Sequence, residues 1–353
     1  MNTRITRRLP LLPKLPHLMK LRILTLCLLA IGLLVCGGSA AEVATAKSVI
    51  IQQSPYEFPF ESYDEWLDFM DQSPDQSWHR AALEPLVSRA AFTRYQHHET
   101  VITQRMSYRS DGLEIKGLIV QPRHPKGPLP VVLYAHGGVA QWGRITFFDI
   151  LELQRLAEQG YLVLASSFRG EGGSEGQANL GDGERRDLLQ LLAVAKELPH
   201  ANLNKVGLWG FSRGGGLTYR ALAKHRDFSA AIAVGARSDF LNSPRRAEFD
   251  EHVYPFVIPN YAADKDAALT ALSALYWAED MAPQTPLLMI HGNRDTRVQA
   301  VQSLKLAQVL QELQRPFELL VINNGSHTLI EHQQQLRAAI DAWFGEHLQG
   351  DRT

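Results

Sequence analysis

One pentapeptide narrows the folds open to this chain more than any other feature. Gly210-Phe211-Ser212-Arg213-Gly214 follows the apolar run Lys205-Val206-Gly207-Leu208-Trp209 and precedes the helix-forming run Leu217 to Ala223. A strand that turns straight into a helix needs small residues on both sides of the turn, because side chains there would collide. Such a turn strains the residue between them and lifts the Ser212 hydroxyl clear of the sheet. The following helix N-terminus then favours negative charge beside it. The motif therefore asks for a layered α/β chain.

The rest of the sequence supplies those layers. Apolar runs at 130–135, 161–167, 205–210, 229–234, 286–291 and 317–322 read as strands. Helical patterns near 146–159, 184–198, 214–225, 298–314 and 331–348 alternate with them. Alternation of this kind predicts a mostly parallel sheet with helices on both faces, and continuous apolar strands are what a doubly covered sheet requires. Two alternating strands, Thr100 to Tyr108 and Leu113 to Val120, flank Arg109-Ser110-Asp111-Gly112 and predict a hairpin ahead of the parallel part. The segment 236–285 is far longer than the usual connection and leaves the carboxyl end of a central strand, so it is expected to overhang Ser212 as a lid-like insertion. Residues 42–99 carry Tyr56, Phe58, Phe60, Tyr63, Trp66, Phe69 and Trp78 among several prolines. They are expected to form an irregular arm that packs its rings on the domain at 100–348.

A serine hydroxyl is a poor nucleophile until a histidine takes its proton and a carboxylate orients that histidine. Asp295 follows the strand Pro286 to Ile290 in His291-Gly292-Asn293-Arg294-Asp295, and His327 follows the strand Phe317 to Ile322 in Gly325-Ser326-His327. Both sit beyond the carboxyl ends of strands, where open α/β sheets place their sites. Asp239 is the rival acid, because a preceding strand can also supply it. For the oxyanion, the strand Pro130 to Ala135 runs into His136-Gly137-Gly138. Glycine N–H groups there approach a substrate unobstructed, so Gly138 (with Gly137 as fallback) is one expected donor and the N–H of Arg213 the other. His136 reads as a turn-shaping residue, since the base role is filled. Adjacent His97-His98-Glu99 point to opposite sides of a strand and do not converge as a ligand set, so no metal is expected.

Ala135-His136-Gly137-Gly138, Phe168-Arg169-Gly170-Glu171-Gly172-Gly173-Ser174-Glu175-Gly176, Gly210 to Gly215, His291 to Asp295 and Gly325 to His327 together resemble the catalytic domain of the prolyl-oligopeptidase family of serine peptidases. The resemblance runs from about Thr100 to Leu348. It implies an α/β-hydrolase fold, no metal or organic cofactor, and acyl-enzyme chemistry on a small peptide or ester. Two features depart from the family. Its peptidases usually carry a large β-propeller, for which residues 42–99 leave no room, and an aromatic residue often stands where this chain has Arg213. A carboxylesterase or dienelactone-hydrolase-like enzyme is the alternative on the same fold, and a non-catalytic binding protein is the second alternative.

The first 41 residues differ from the rest. Arg4, Arg7, Arg8, Lys14, Lys20 and Arg22 precede the uncharged run Ile23 to Val35, and small residues follow at Gly37-Gly38-Ser39-Ala40-Ala41. A basic start, a short apolar stretch and a small-residue exit predict a signal peptide and a periplasmic or secreted protein. The apolar run is short of the ~20 residues of a spanning helix, so no stable membrane anchor is expected. Lipid attachment at Cys36 is the lesser reading, because Val35 is larger than such signals want. Both cysteines, Cys27 and Cys36, lie in this segment. Residues 42–353 hold 30 basic against 37 acidic side chains, a formal charge of −7. A mildly acidic chain without a basic stretch argues against nucleic acid as a partner.

Overall fold

The computed structural model describes residues 48–73 and 78–350. The signal-peptide and Cys36 expectations fall outside them. Nine strands form one sheet in the order β1-β2-β3-β5-β4-β6-β7-β8-β9. The arm contributes β1 (Ile50–Pro55) and helices α1 (Tyr63–Asp71), α2 (Arg80–Leu83) and α3 (Arg89–Gln96). Next come β2 (Val101–Ser110), β3 (Leu113–Pro122), β4 (Leu129–Ala135), α4 (Phe147–Glu158) and β5 (Leu162–Ser166). Then follow α5 (Asp182–Lys196), β6 (Ala201–Phe211), α6 (Arg213–Leu222) and β7 (Ala230–Val234). The insertion holds α7 (Arg246–His252), α8 (Tyr254–Val257) and α9 (Lys265–Leu272), and the chain closes with β8 (Leu287–Gly292), α10 (Val301–Glu312), β9 (Phe317–Ile322) and α11 (Gln333–Gln349).

Strands β5, β4, β6, β7, β8 and β9 pair in parallel, whereas β1, β2 and β3 run antiparallel at one end. The hairpin turn is the two residues Asp111 and Gly112, both at positive φ, with Ser110 opposite Leu113. This is the geometry that suits a right-twisted hairpin. Alternate residues of each parallel strand enter different cores. Val132, Tyr134, Trp209 and Ile232 pack under α4 and α11 through Leu153, Leu156, Ile340 and Phe344. Val131, Leu133 and Leu208 pack under α5, α6 and α10 through Leu188, Leu217, Leu306 and Leu310. The sheet is thus covered on both faces, as an α/β-hydrolase fold requires.

The described part of the arm forms regular elements, not the irregular chain that its prolines predict. Ser62 and Ser88 cap α1 and α3 by accepting hydrogen bonds from Glu65 N–H and Ala91 N–H. Its rings join the first core: Trp66 stacks on Phe92 with centroids 5.8 Å apart, and Phe58 meets both Phe92 and Phe147 edge-on. Strand β1 extends the sheet at its antiparallel end. The insertion builds a small core of its own from Tyr254, Val257, Tyr261, Leu269 and Leu272.

Candidate active site

After β4 the chain passes to β5 on one side and returns through β6 on the other. The crevice at the carboxyl ends of β4 and β6 is therefore a topological switch point, the usual place for a site in such sheets. Ser212 stands there between β6 and α6 with φ 54° and ψ −114°, a strained conformation for a residue with a side chain. Its N–H is bonded to Val234 O at 2.7 Å. A Cβ at Gly210 or Gly214 would strike backbone oxygens of Gly214 or of Ala135 and His136, so neither position can carry a side chain in this turn.

The three residues expected to act together are together. His327 Nε2 lies 2.9 Å from Ser212 Oγ, and His327 Nδ1 lies 2.6 Å from Asp295 Oδ2. The other Asp295 oxygen accepts the backbone N–H groups of Arg297 and Val298, both at 2.8 Å. Burial alone would raise the Asp295 carboxyl, but hydrogen bonds from His291 and His327 outweigh it and hold the group well below the usual carboxylate range. His291 was not singled out from sequence. It is buried, donates from Nε2 to Val298 O at 2.7 Å and accepts at Nδ1 from Ser303 Oγ at 2.7 Å. A carbonyl can only accept, so these partners fix its tautomer and aim Nε2–H also at Asp295, 3.3 Å away.

Asp239 is buried but engaged elsewhere. It accepts Asn242 N–H at 2.9 Å, approaches Tyr276 Oη at 3.4 Å and pairs with Lys305 at 3.6 Å. His327 turns to Asp295 instead. Gly138 stands at φ +75°, where a side chain would run into Trp142 O, and it faces the same chamber as Ser212 and Arg213. Gly137 lies against the nucleophile turn too, since a Cβ there would meet the Phe211 ring at 2.9 Å and Ser212 Cβ at 3.3 Å. Arg213 opens α6, so its N–H has no intrahelical acceptor. His136 is fully buried with its Nδ1 donating to Gly137 O at 2.8 Å. Burial, then the charge of Arg213, push it down to about 3, so its ring is neutral.

The Arg213 side chain shows why a cation can follow this serine. Its guanidinium bonds Glu171 Oε1 at 3.0 Å, Glu171 Oε2 at 2.6 Å and Glu184 Oε1 at 2.9 Å, and lies over the Phe168 ring. Glu171 in turn accepts Ala140 N–H at 2.7 Å. One residue thus ties the turn after the serine to the loop Phe168 to Gly176, to α5 and to the loop after Gly138. Arg169 clamps the same loop from the other side by bonding Asp187 through its backbone N–H and its side chain, and by reaching Asp111 at 2.7 Å. Two buried carboxylates share Arg213, and burial lifts Glu184 to about 7.

A chamber of about 230 Å³ opens above Ser212. Its floor is Gly138, Phe211, Ser212, Arg213 and His327, and its walls are Val139, Leu180, Val298 and Arg297. The insertion supplies Arg237, Phe240, Arg245 and Phe249. Arg246 turns away to Asp250 and Asp266.

The family model of the prolyl oligopeptidase family matches residues 146–351. The uncharacterized peptidase YtmA of Bacillus subtilis is 25% identical over 246 residues, covering 69% of this chain and 91% of YtmA. Of two longer curated relatives, the uncharacterized peptidase YuxL of Bacillus subtilis and the acylamino-acid-releasing enzyme of Sus scrofa, the chain spans 40% and 34%. An acylaminoacyl peptidase solved in complex with Z-Gly-Gly-Phe-chloromethyl ketone superposes with a TM-score of 0.61 at 25% identity, over 70% of this chain and 42% of that one. The acetyl xylan esterase from Paenibacillus sp. R4 shares the fold, with a TM-score of 0.55 at 20% identity over 69% of this chain and 85% of its own. With more than half of its length matched by that one model, the chain belongs to the prolyl oligopeptidase family and is a peptidase-like hydrolase of that group.

Proposed function

We propose that the chain is a serine peptidase that cleaves peptide or amide bonds through an acyl-enzyme, with Ser212 as nucleophile, His327 as general base and Asp295 as its orienting acid. The reading rests on one observation above the others: the unbroken hydrogen-bonded line from Asp295 through His327 to Ser212 at the carboxyl edge of the sheet. Ser212 Oγ attacks the carbonyl carbon while His327 Nε2 takes its proton. The negative carbonyl oxygen is received by the N–H groups of Gly138 and Arg213. When the carbon–nitrogen bond breaks, His327 returns the proton to the departing amine. Water, deprotonated by His327, then releases the acyl group and restores Ser212. The held-down Asp295 carboxyl stays ionised throughout and stabilises the imidazolium.

The peptide reading over an ester one is supported by the family and by the named peptidases among its relatives. Parallel assays on dipeptide p-nitroanilides and p-nitrophenyl acyl esters test it. The peptidase reading expects turnover of the anilides that disappears in Ser212→Ala; turnover of esters alone would replace it with an acyl esterase. We propose further that residues 1–41 direct export, on their basic start and apolar run. N-terminal sequencing of the protein from its fractionated native host checks this, and Met1 retained on a cytosolic protein would refute it.

A further inference from the structure

Resting on the reading of Ser212 as the nucleophile, we infer that the chamber above it is an anion-recognising subsite: it takes a carboxylate carried by the substrate within one side chain's length of the scissile carbonyl, and Arg237 receives it. No residue lining the chamber is acidic, while four are arginines. Two of the four are neutralised. Arg213 is held by Glu171 and Glu184, and Arg245 is held bidentate by Glu248. Arg297 is exposed at the rim. Arg237 is different.

Arg237 is 8% exposed, and burial of a guanidinium is costly unless an anion accompanies it. Among the described residues it makes no ion pair, and its single side-chain hydrogen bond goes to Tyr254 Oη at 2.8 Å. A guanidinium has five N–H donors in a fixed fork, so most of its donor capacity is uncommitted. The group is nonetheless held rigidly. Its Cζ lies 4.7 Å from the Phe249 ring centroid and 5.2 Å from that of Phe240, and Tyr254 fixes one end. A planar cation clamped between rings, with free donors on the chamber that holds the nucleophile, is built to meet a carboxylate in bidentate fashion. The volume sets the reach. About 230 Å³ lies below the roughly 300–1,000 Å³ of sites for drug-sized ligands, and suits one short side chain or chain end beside the scissile bond.

A carboxylate of this kind has two sources, an acidic side chain or the carboxyl terminus of a short peptide. The test uses matched pairs on the full chain: acetyl-Ala-Glu-p-nitroanilide against its Gln counterpart, and acetyl-Ala-Ala-Ala as free acid against its amide. The wild type should favour the anionic member of one pair. Preference within the first pair assigns the subsite to a side chain, and within the second to a chain end. Arg237→Met should lower the anionic-to-neutral ratio of kcat/KM by about 30-fold or more, the loss expected when one partner of a desolvated pair is removed, and Arg237→Lys should keep part of it. Equal rates within both pairs, or an Arg237→Met variant that slows both members alike, would overturn the inference. Calorimetry on Ser212→Ala with N-acetylglutamate and N-acetylglutamine separates this claim from the proposed mechanism. Arg237-dependent preference for the acid in binding, together with a wild type that hydrolyses none of the substrates, would leave the subsite standing and sink the peptidase reading. Hydrolysis with no preference in rate or binding would do the reverse.

Discussion

The chamber has a floor and a roof, and the two are made by different physics. The floor comes from loops that leave β4, β6, β8 and β9 at the carboxyl edge of the parallel sheet. Ser212 is fixed by the strained turn between Gly210 and Gly214 and Asp295 by the N–H groups two and three residues on, while His327 and Arg213 are held by carboxylates on neighbouring loops and helices. The roof is the insertion, a small helical body whose core of Tyr254, Tyr261, Leu269 and Leu272 is largely its own. It reaches the chamber through Arg237, Phe240, Arg245 and Phe249. On the proposed function the floor carries the chemistry, and the roof decides what reaches it.

If that division is right, substitutions in the floor should abolish turnover and those elsewhere should not. Ser212→Ala should lower kcat by about 10⁴-fold or more while the thermal melt stays intact. Asp295→Asn should cost about 10⁴-fold, because the histidine loses the partner that sets its tautomer. Asp239→Asn should cost far less, since that carboxylate holds Asn242 and Lys305 and does not touch His327. Steady-state kinetics on the pair of variants decides it: a loss confined to Asp239→Asn would move the acid from the floor to the root of the roof.

Away from both regions the effects should fall on stability. Trp66 is 1% exposed and stacked on Phe92, so Trp66→Ala should lower unfolding free energy by about 3–5 kcal/mol. Denaturant unfolding measures this, and a shift in substrate preference with unchanged stability would make the arm part of the roof. A smaller effect is expected beneath the floor. Glu184 sits in the folded state at about 7 against an ordinary 4.5. Because the folded value is the higher one, its contribution is full below 4.5 and is lost as pH rises through about 7, up to about 3 kcal/mol. Asp295 is shifted the other way, so its contribution is lost only in acid. Melts of Glu184→Gln should therefore decline less between pH 5 and pH 8 than those of the wild type. Parallel slopes would contradict this account of the shared Arg213.

The floor was legible in the sequence because each of its residues follows a strand through a short turn, so motif and position in the sheet are one signal. The roof was not. Arg237 stands three residues beyond β7, but its role depends on Phe249 and Tyr254 folding back over it, which no local pattern announces. Arg246, next to Arg245 in sequence, turns away from the chamber to Asp250 and Asp266. Strand β1 was hidden for a related reason. Gln52, Gln53 and Ser54 break any apolar alternation, and the strand exists because β2 offers an open edge. The pairing of Glu171 and Glu184 through Arg213 is likewise set by three segments far apart in sequence.

The central claim is that Ser212 is the nucleophile, activated through His327. Incubating the wild-type protein with a fluorophosphonate, digesting it and mapping the adduct by mass spectrometry tests this without knowledge of the substrate. The account predicts one modified residue, Ser212, with labelling abolished in Ser212→Ala and strongly slowed in His327→Ala. Equal labelling of Ser212→Ala and wild type, or an adduct mapped to another residue, would contradict it.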